Sequence, residues 1–168
     1  QNFVEMLTAK NSKVVSLGIQ KLDFFIEKAL IQQKDIIIEL GYILFNDSKS
    51  TVEEAFSYLK KIAKKDKNLL DNILLEVEKV LDTPNKTLRQ DILKWLKTLP
   101  KNNLEIVIIP KLKELYEQFP KPEQTLIDAI LPNIVKVETD SKINTEVTEN
   151  NSFPIEYYLE KIKTQQKN

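Results

Sequence analysis

The sequence predicts an all-α fold and, within that class, an α-solenoid of about seven to nine helices in a right-handed superhelical stack. Only two glycines occur in 168 residues, and both Gly18 and Gly41 lie inside apolar-periodic segments rather than between them. Folds rich in β-structure need many positions with positive φ, which glycine supplies most readily. Seven prolines punctuate the chain instead, mostly at segment edges. An irregular helical bundle is the alternative arrangement.

Apolar residues recur at spacings of three and four in the first part of the chain, which is the period of an amphipathic helix. A short helix is predicted over residues 2–9, and a long helix follows to about Ile31 with Asn11 or Ser12 as its N-cap. Asp35 is predicted to cap a third helix. That helix is apolar nearly all round, so it should lie inside between its neighbours.

The fourth predicted helix begins at a capping box, which either Ser50 and Glu53 or Thr51 and Glu54 can form. It ends in a run of five lysines. Asn68 is then predicted to open the fifth helix.

Prolines mark the starts and interruptions of the remaining helices. Pro84 is predicted to start the sixth helix and Pro100 to close it, because proline fits the first turn but not the interior. The seventh helix, residues 104–119, should be kinked at Pro110, and the eighth spans residues 123–137. The sixth helix has one clear apolar face, which consists of Leu88, Ile92, Trp95, Leu96 and Leu99.

The composition changes after residue 137, which we take as the end of the helical-repeat domain, residues 1–137. Residues 138–152 are polar and predict a linker. Residues 153–168 predict a short amphipathic helix and a tail. A helix this short is marginal alone in water, so 153–163 either docks on its own domain or recognises a partner. Tyr157 is a candidate contact in that second case.

A repeat of two helices is suggested by the polar helix starts at Ser12, Ser50 and Asn85, which lie 38 and then 35 residues apart. With a spacing of 37 and then 36 residues, two apolar columns appear, one with Ile19, Phe56 and Ile92 and the other with Leu22, Leu59 and Trp95. A period of this size with two helices per unit is typical of α-solenoids. The alignment of Trp95 with Leu22 and Leu59 predicts that Trp95 lies in the core. The alternative is that Trp95 is exposed and anchors a binding partner.

In detail, the units resemble HEAT repeats, over about residues 3–137. NKTLRQDILKWLKTL matches a first helix and LEIVIIPKLKELYEQF a second. Within this superfamily, FVEMLTAKNSKVVSLGIQKLDFFI and the helix that carries Trp95 are similar to TOG-type domains. That resemblance implies tubulin binding through the turns within each hairpin, with an aromatic in the first turn and basic residues in later ones. Here the turn 31–34 has no aromatic, 64–68 is basic, and 101–103 offers Lys101.

Composition argues against several other classes of function. The chain has no histidine and no cysteine, so the commonest general base, metal ligand and thiolate are absent. It has no glycine-rich phosphate loop, and the adjacent glutamates on its helices point in different directions. We therefore expect no enzyme activity, cofactor or small-molecule substrate.

Charge and hydropathy indicate where the protein acts and which kinds of partner it binds. Twenty-five basic and 25 acidic side chains cancel, and no stretch is apolar enough for a membrane span. The lysine run lacks arginines and interleaved aromatics, which argues against specific nucleic-acid recognition. We expect an intracellular module, cytoplasmic or nuclear, from a larger protein.

Together these features predict a non-enzymatic scaffold or adaptor that binds another protein, with an acidic surface on that partner, tubulin being the family-based candidate. A solvated helix end is the alternative explanation of the lysine run. The candidate contacts are Lys60, Lys64, Lys65, Lys67, Arg89, Lys101 and Tyr157.

Overall fold

The computed structural model describes residues 3–131, and within this range the chain is helical, without a strand. The all-α prediction is therefore confirmed for this part of the chain. Two 3-10 turns occur, at Lys67–Leu69 and Tyr116–Gln118. The nine α-helices are α1 (Phe3–Leu7), α2 (Ser12–Glu27), α3 (Gln33–Ile43), α4 (Lys49–Lys65), α5 (Leu70–Glu78), α6 (Lys86–Leu96), α7 (Lys101–Leu104), α8 (Ile108–Leu115) and α9 (Lys121–Ile130). The predicted domain boundary at residue 137, the linker and the C-terminal helix lie outside the described residues.

Side-chain caps fix the starts of α2 and α6. Asn11 caps α2 by accepting a hydrogen bond from the Lys13 amide at 3.0 Å, as predicted. Asn85 caps α6 through the Leu88 amide at 3.1 Å, so this helix begins two residues after Pro84 rather than at it. At both helices the start is set by an asparagine side chain, and at α6 the asparagine marks the first residue more accurately than Pro84 does.

Three predicted helix starts are wrong. The third helix begins at Gln33, which leaves Asp35 inside its first turn. The capping box does not form at α4, because this helix begins at Lys49 and Ser48 stands at its N-cap without a side-chain hydrogen bond. Asp66, rather than Asn68, caps the 3-10 turn that precedes α5.

The predicted seventh helix is broken rather than kinked. Proline in a helix interior clashes with the carbonyl four residues earlier, which for Pro110 belongs to Ile106. The chain resolves this by ending α7 at Leu104 and starting α8 at Ile108, so that Pro110 lies in a first turn, where no amide donor is needed. Ile106, in the break, is 88% exposed.

Helices α2, α4 and α6 run in the same direction. Near their starts, the Ser16 hydroxyl of α2 donates to Glu54 of α4 at 2.5 Å. Further along the same pair, Tyr58 of α4 donates to Asp23 of α2 at 2.7 Å. The cleft between α4 and α6 brings the start of α4, at Lys49, to the start of α6, at Thr87, and extends along α4 as far as Lys60. Phe56 of α4, which lines this cleft, also meets an aromatic ring near the end of α6. The C-terminal ends of the three helices therefore lie at one edge of the molecule.

The core extends through all the described helices and contains buried apolar side chains from each of them. The third helix contacts α1, α4 and α5 and buries five residues, including Ile37 and Leu40. Its opposite face is not covered, since Ile38 and Tyr42 are exposed, as is Phe45 just after the helix. The prediction that α3 lies inside is thus correct for one face only.

Both glycines allow close helix packing. A Cβ on Gly41 would lie 2.9 Å from the Cβ and Cγ of Glu76, whose buried carboxylate accepts from Lys79 at 2.7 and 2.8 Å. A Cβ on Gly18 would lie 3.0 Å from a terminal methyl of Leu7. These residues thus set how closely α3 approaches α5 and α2 approaches α1.

Trp95 differs from the residues with which the repeat aligns it. Leu22 and Leu59 are fully buried, whereas Trp95 is half-buried at the border of the core. Its ring packs edge-to-face on Phe56, with centroids 5.6 Å apart. Leu93, which the predicted apolar face omits, is fully buried instead.

Candidate functional site

The three turns that follow α2, α4 and α6 are residues 28–32, 66–69 and 97–100. Together with the last turn of the helix before each of them and the first residue of the helix after it, they form what we call the turn edge. They share one side of the molecule because the three helices that precede them run in the same direction. Loops placed by a rigid scaffold commonly carry binding residues. We therefore locate each predicted contact relative to this edge.

Three predicted contacts lie exposed at the turn edge. Lys64 is in the last turn of α4, Lys67 opens the 3-10 turn after it, and Lys101 directly follows the turn after α6. None of the three has a carboxylate within 4.0 Å among residues 3–131. Their ammonium groups are thus free to meet a partner's acidic groups as far as the described chain is concerned.

Two further lysines of α4 are partly engaged. Lys65 lies 3.8 Å from the carboxylate of Asp23, which also pairs with Lys61. Lys60, one turn before the helix end, is half-buried with its ammonium 4.7 Å from the ring centroid of Phe56. Such a cation–π contact holds the side chain along the helix rather than toward the edge. These two lysines border the edge without being its most available charges.

Asp23 joins α2 to α4 close to the turn edge. The hydrogen bond from Lys61 lowers the pKa of Asp23 below its ordinary value, and a second bond from Tyr58 adds to this. The pKa of Tyr58 is raised in turn, by burial first and then by the hydrogen bond that it donates to Asp23. This pairing holds the ends of the two helices together, so it is structural in character.

Arg89 is not part of the turn edge. Its side chain is only 14% exposed, and its guanidinium donates to the fully buried carboxylate of Glu123 and to the Thr83 carbonyl. It also stacks 5.7 Å from the ring of Phe119. Arg89 is among the contacts predicted from the sequence, but α9 covers its side chain, and we leave it out of the proposed contact surface. Tyr157 lies outside the described residues.

Sequence reasoning missed a groove of about 620 Å³ at the first turn of the edge. It lies where α1 meets the turn between α2 and α3, with the Phe3 and Phe25 ring centroids 4.3 Å apart in its wall. Its remaining lining is formed by Val4, Ala29, Leu30, Ile31, Gln32 and Asp35. No local pattern predicts it, since the lining comes from three separate segments.

A turn with unusual backbone geometry borders this groove. Ala29 has φ 53°, the left-handed region, and it ends α2 in a Schellman motif. The amide of Ala29 donates to the Ile26 carbonyl at 2.9 Å and that of Leu30 to the Phe25 carbonyl at 3.0 Å. Leu30 is nevertheless 63% exposed. The turn thus holds an apolar side chain out toward solvent.

Other cavities and clusters offer little for chemistry within the described residues. The cleft between α4 and α6 has about 60 Å³, enough for a few waters. Among residues 3–131, no three Asp or Glu side chains converge in a way that could hold a metal ion. None of the described helices is both long and apolar enough to cross a membrane.

Comparisons of the chain with protein-family models, with curated proteins and with solved structures gave no significant match.

Proposed function

We propose that this chain is a non-enzymatic protein-interaction module whose turn edge binds an acidic surface of another protein. The observation that carries this proposal is the exposure of Lys64, Lys67 and Lys101 at or just after the ends of α4 and α6, without acidic partners in the described chain. Because α4 and α6 run in the same direction, these lysines lie on the same side of the molecule. Complementary charge of this kind guides association with an acidic partner.

We further propose a HEAT-like stack as the architecture. Polar contacts between helices of different units join residues about one period apart: Ser16 with Glu54 is separated by 38 positions, Asp23 with Tyr58 by 35 and Arg89 with Glu123 by 34. Contacts between α2 and α4, and between α3 and α5, fit two layers of equivalent helices. Each of these observations supports the stack over an irregular bundle.

The proposal is tested by two triple variants with the same net charge. The edge variant carries Lys64→Glu, Lys67→Glu and Lys101→Glu. The control variant carries Lys13→Glu, Lys49→Glu and Lys86→Glu, which are exposed lysines at the opposite ends of α2, α4 and α6.

Binding of a fluorescein-labelled twelve-residue glutamate peptide is measured by anisotropy at low salt. We expect the edge variant to weaken binding about tenfold and the control variant less than about twofold. Equal losses in the two variants would mean that the peptide senses only net charge, and the edge would then have no special role. Melting temperatures of the variants check that each is folded.

Tubulin is a second candidate partner, which the TOG-type resemblance suggests. It is favoured by the basic residues in the turns after α4 and α6, while the first turn exposes Leu30 where that resemblance implies an aromatic. Co-sedimentation of the wild type and both triple variants with microtubules tests it. Pelleting that is lost only in the edge variant supports tubulin, and no pelleting of the wild type removes it.

The segment 153–163 remains a further proposal, as a helix that a partner recognises. Its test is a chain that ends at residue 137. Loss of binding to a captured partner at an unchanged melting temperature would support it, and retained binding would exclude it.

A further inference from the structure

We propose that the exposed faces of α3 and α5 together bind a basic amphipathic helix of another protein. This inference goes beyond the proposed function and does not rest on it, because it concerns a different surface and a partner of the opposite charge. The surface combines a row of apolar side chains on α3 with a row of carboxylates on α5. A helix with leucines on one side and lysines along its flank is complementary to both rows.

The apolar row belongs to α3 and to the residues that follow it. Ile38, Tyr42 and Phe45 are spaced by four and then three positions, so they share one face. All three are exposed, Tyr42 at 65%, and so is Leu75 on the neighbouring α5. These four are nearly half of the large apolar side chains that are exposed among residues 3–131. An apolar surface of this kind is typical of an interaction site.

The acidic row runs along the exposed side of α5. Asp71, Leu75 and Glu78 are spaced by four and three positions, and Asp82 follows four positions later in the next turn. Asp71 and Asp82 are exposed and Glu78 is partly exposed. None of these carboxylates has a lysine or arginine within 4.0 Å in the described chain. The helix itself, Leu70–Glu78, contains no basic residue.

Close packing of the two helices places the rows side by side. A Cβ on Gly41 would lie 2.9 Å from the Cβ of Glu76, so the backbones of α3 and α5 approach closely. Both helices also contact α4, and their buried faces carry residues such as Leu40 and Ile73. Because α4 lies against both buried faces, the two exposed rows lie on the same outer side. Packed helix axes are about 8–10 Å apart, so one partner helix can contact both rows.

The charges around this surface favour a basic partner. Asp35 and Glu39 of α3 border the apolar row, and neither has a basic partner within 4.0 Å among the described residues. Lys34 is the one basic residue of α3. Lys79 is bound by a buried carboxylate of α5 at 2.7 Å, and Lys111 of the adjacent α8 is paired within its own helix at 3.1 Å. Five carboxylates without a basic partner thus stand against one lysine without an acidic partner.

The sign of this charge also separates the proposed partner from two other kinds of ligand. Nucleic acids and anionic membrane surfaces are themselves negative, so the acidic row would repel both. The exposed aromatic rings of Tyr42 and Phe45 therefore favour a protein helix that brings lysines or arginines with its apolar residues. Both rows lie on or next to packed helices, so little free energy is lost in ordering them.

The test uses three fluorescein-labelled peptides of about fourteen residues, long enough to span the apolar row, with the full 168-residue chain. The first has leucines at spacings of three and four positions and lysines along one flank. The second contains the same residues in scrambled order, so it keeps the charge but has no apolar face. The third has glutamates in place of the lysines. Affinity is measured by anisotropy at low salt.

Two protein variants remove the two rows separately. The apolar variant is Tyr42→Ser, and the acidic variant carries Asp71→Asn, Glu78→Gln and Asp82→Asn. These changes alter side chains that are wholly or partly exposed, and melting temperatures check that each variant is folded.

Each variant has a matched control elsewhere on the molecule. Leu17→Ser changes an exposed leucine of α2. The control for the acidic variant carries Glu27→Gln, Glu53→Gln and Glu117→Gln, which are exposed acidic residues of α2, α4 and the 3-10 turn before α9.

We expect the first peptide to bind the wild type about tenfold more tightly than the scrambled peptide, and the glutamate peptide to bind least. Tyr42→Ser should weaken binding of the first peptide about fivefold and the acidic variant about tenfold, while both controls should change it less than about twofold. The triple edge variant that tests the proposed function should bind this peptide at least as tightly as the wild type.

Three outcomes would overturn the inference. Equal affinity of the first and the scrambled peptide would show that the apolar row is unused. Equal losses in the acidic variant and its control would show that the peptide senses only net charge. If the glutamate peptide bound as tightly as the lysine peptide, the partner would not be basic. None of these outcomes affects the turn edge, whose test uses an acidic peptide and different residues.

Discussion

The guanidinium of Arg89 in α6 forks onto the carboxylate of Glu123 in α9, with Nε to Oε2 at 2.9 Å and a terminal nitrogen to Oε1 at 3.2 Å. Glu123 is fully buried, so this arginine is its only protein source of compensating charge in the described residues. The pair fixes α9 against α6. The other terminal nitrogen of Arg89 donates a hydrogen bond to the Thr83 carbonyl, just before the start of α6.

Removing one member of this pair should be far more costly than removing an exposed charge. Arg89→Ala leaves a buried carboxylate without its partner, and we expect the free energy of unfolding to fall by about 3–5 kcal/mol. Urea denaturation measures this, with Lys94→Ala as an exposed control that should change it by less than about 0.5 kcal/mol.

The double variant Arg89→Met with Glu123→Leu should recover most of that loss, because it leaves no buried charge. A loss below about 1 kcal/mol for Arg89→Ala would contradict the structure, since it would mean that water reaches Glu123.

Gly41→Ala is expected to destabilise the protein although alanine favours helices. The added Cβ would lie 2.9 Å from the Cβ and Cγ of Glu76, close to the backbone, so the two helices must separate. Overpacking of this kind costs about 1–3 kcal/mol, against a gain of about 1 kcal/mol in helix propensity. At Gly18 the nearest atom is a terminal methyl of Leu7, which can move aside, and Gly18→Ala should be nearly neutral. Thermal unfolding of the two variants should therefore separate them, and equal melting temperatures would show that the α3–α5 approach is not tight.

Ala29→Gly should stabilise the protein. Ala29 has φ 53°, a conformation that costs a residue with a Cβ about 1 kcal/mol and costs glycine little. We expect the free energy of unfolding to rise by about 0.5–1 kcal/mol in urea denaturation. Ala63→Gly in α4 is the control, with an expected loss of about 1 kcal/mol or more, because there the same change adds backbone freedom and removes a methyl group that packs on the core. If both variants lost stability, the positive φ of Ala29 would be in error.

Asp23 should give the protein a distinct dependence on acid. Its pKa is held below the ordinary value of 3.8, mainly by the hydrogen bond from Lys61, so its contribution is complete above pH 3.8 and is lost as the pH falls through the folded-state pKa. Asp23→Asn should lower the free energy of unfolding at pH 7 by less than about 1 kcal/mol, since the side chain is 42% exposed. The difference between wild type and variant should shrink below pH 3.8.

This prediction is checked by urea denaturation between pH 7 and pH 2.5. Asp91→Asn is the control, because that carboxylate pairs with one exposed lysine at 3.4 Å on its own helix. A wild-type advantage over Asp23→Asn that is the same at every pH would show that the carboxylate charge does not matter.

The sequence predicts the local parts of this fold well, for reasons that lie within a few residues. The scarcity of glycine excludes a turn-rich fold, and Asn11 caps α2 because its side chain reaches an amide two positions on. The break between α7 and α8 is predicted only in part. Pro110 predicts a distortion, but whether the helix bends or ends depends on the space for Ile106, which is set by neighbouring helices.

The parts that sequence reasoning missed depend on contacts between distant segments. From the sequence, Glu123 is expected to be an exposed acidic residue in the first turn of a helix. Its carboxylate can be buried because it pairs with Arg89, 34 positions away. Trp95 matches the column of Leu22 and Leu59 in spacing, yet its ring is too large for the fully buried place that those leucines occupy, and it lies beside Phe56 at the core border. Likewise, the groove beside Leu30 needs three segments at once.

The common direction of α2, α4 and α6 also sets the electrical character of the turn edge before any side chain is considered. Each helix dipole places roughly half a negative charge at its carboxyl end, and all three of these ends face the edge. The same turns lead into the amino ends of α3, α5 and α7, which carry partial charges of the opposite sign. The backbone charges at this edge therefore largely offset one another, and its side chains determine whether it attracts or repels a carboxylate.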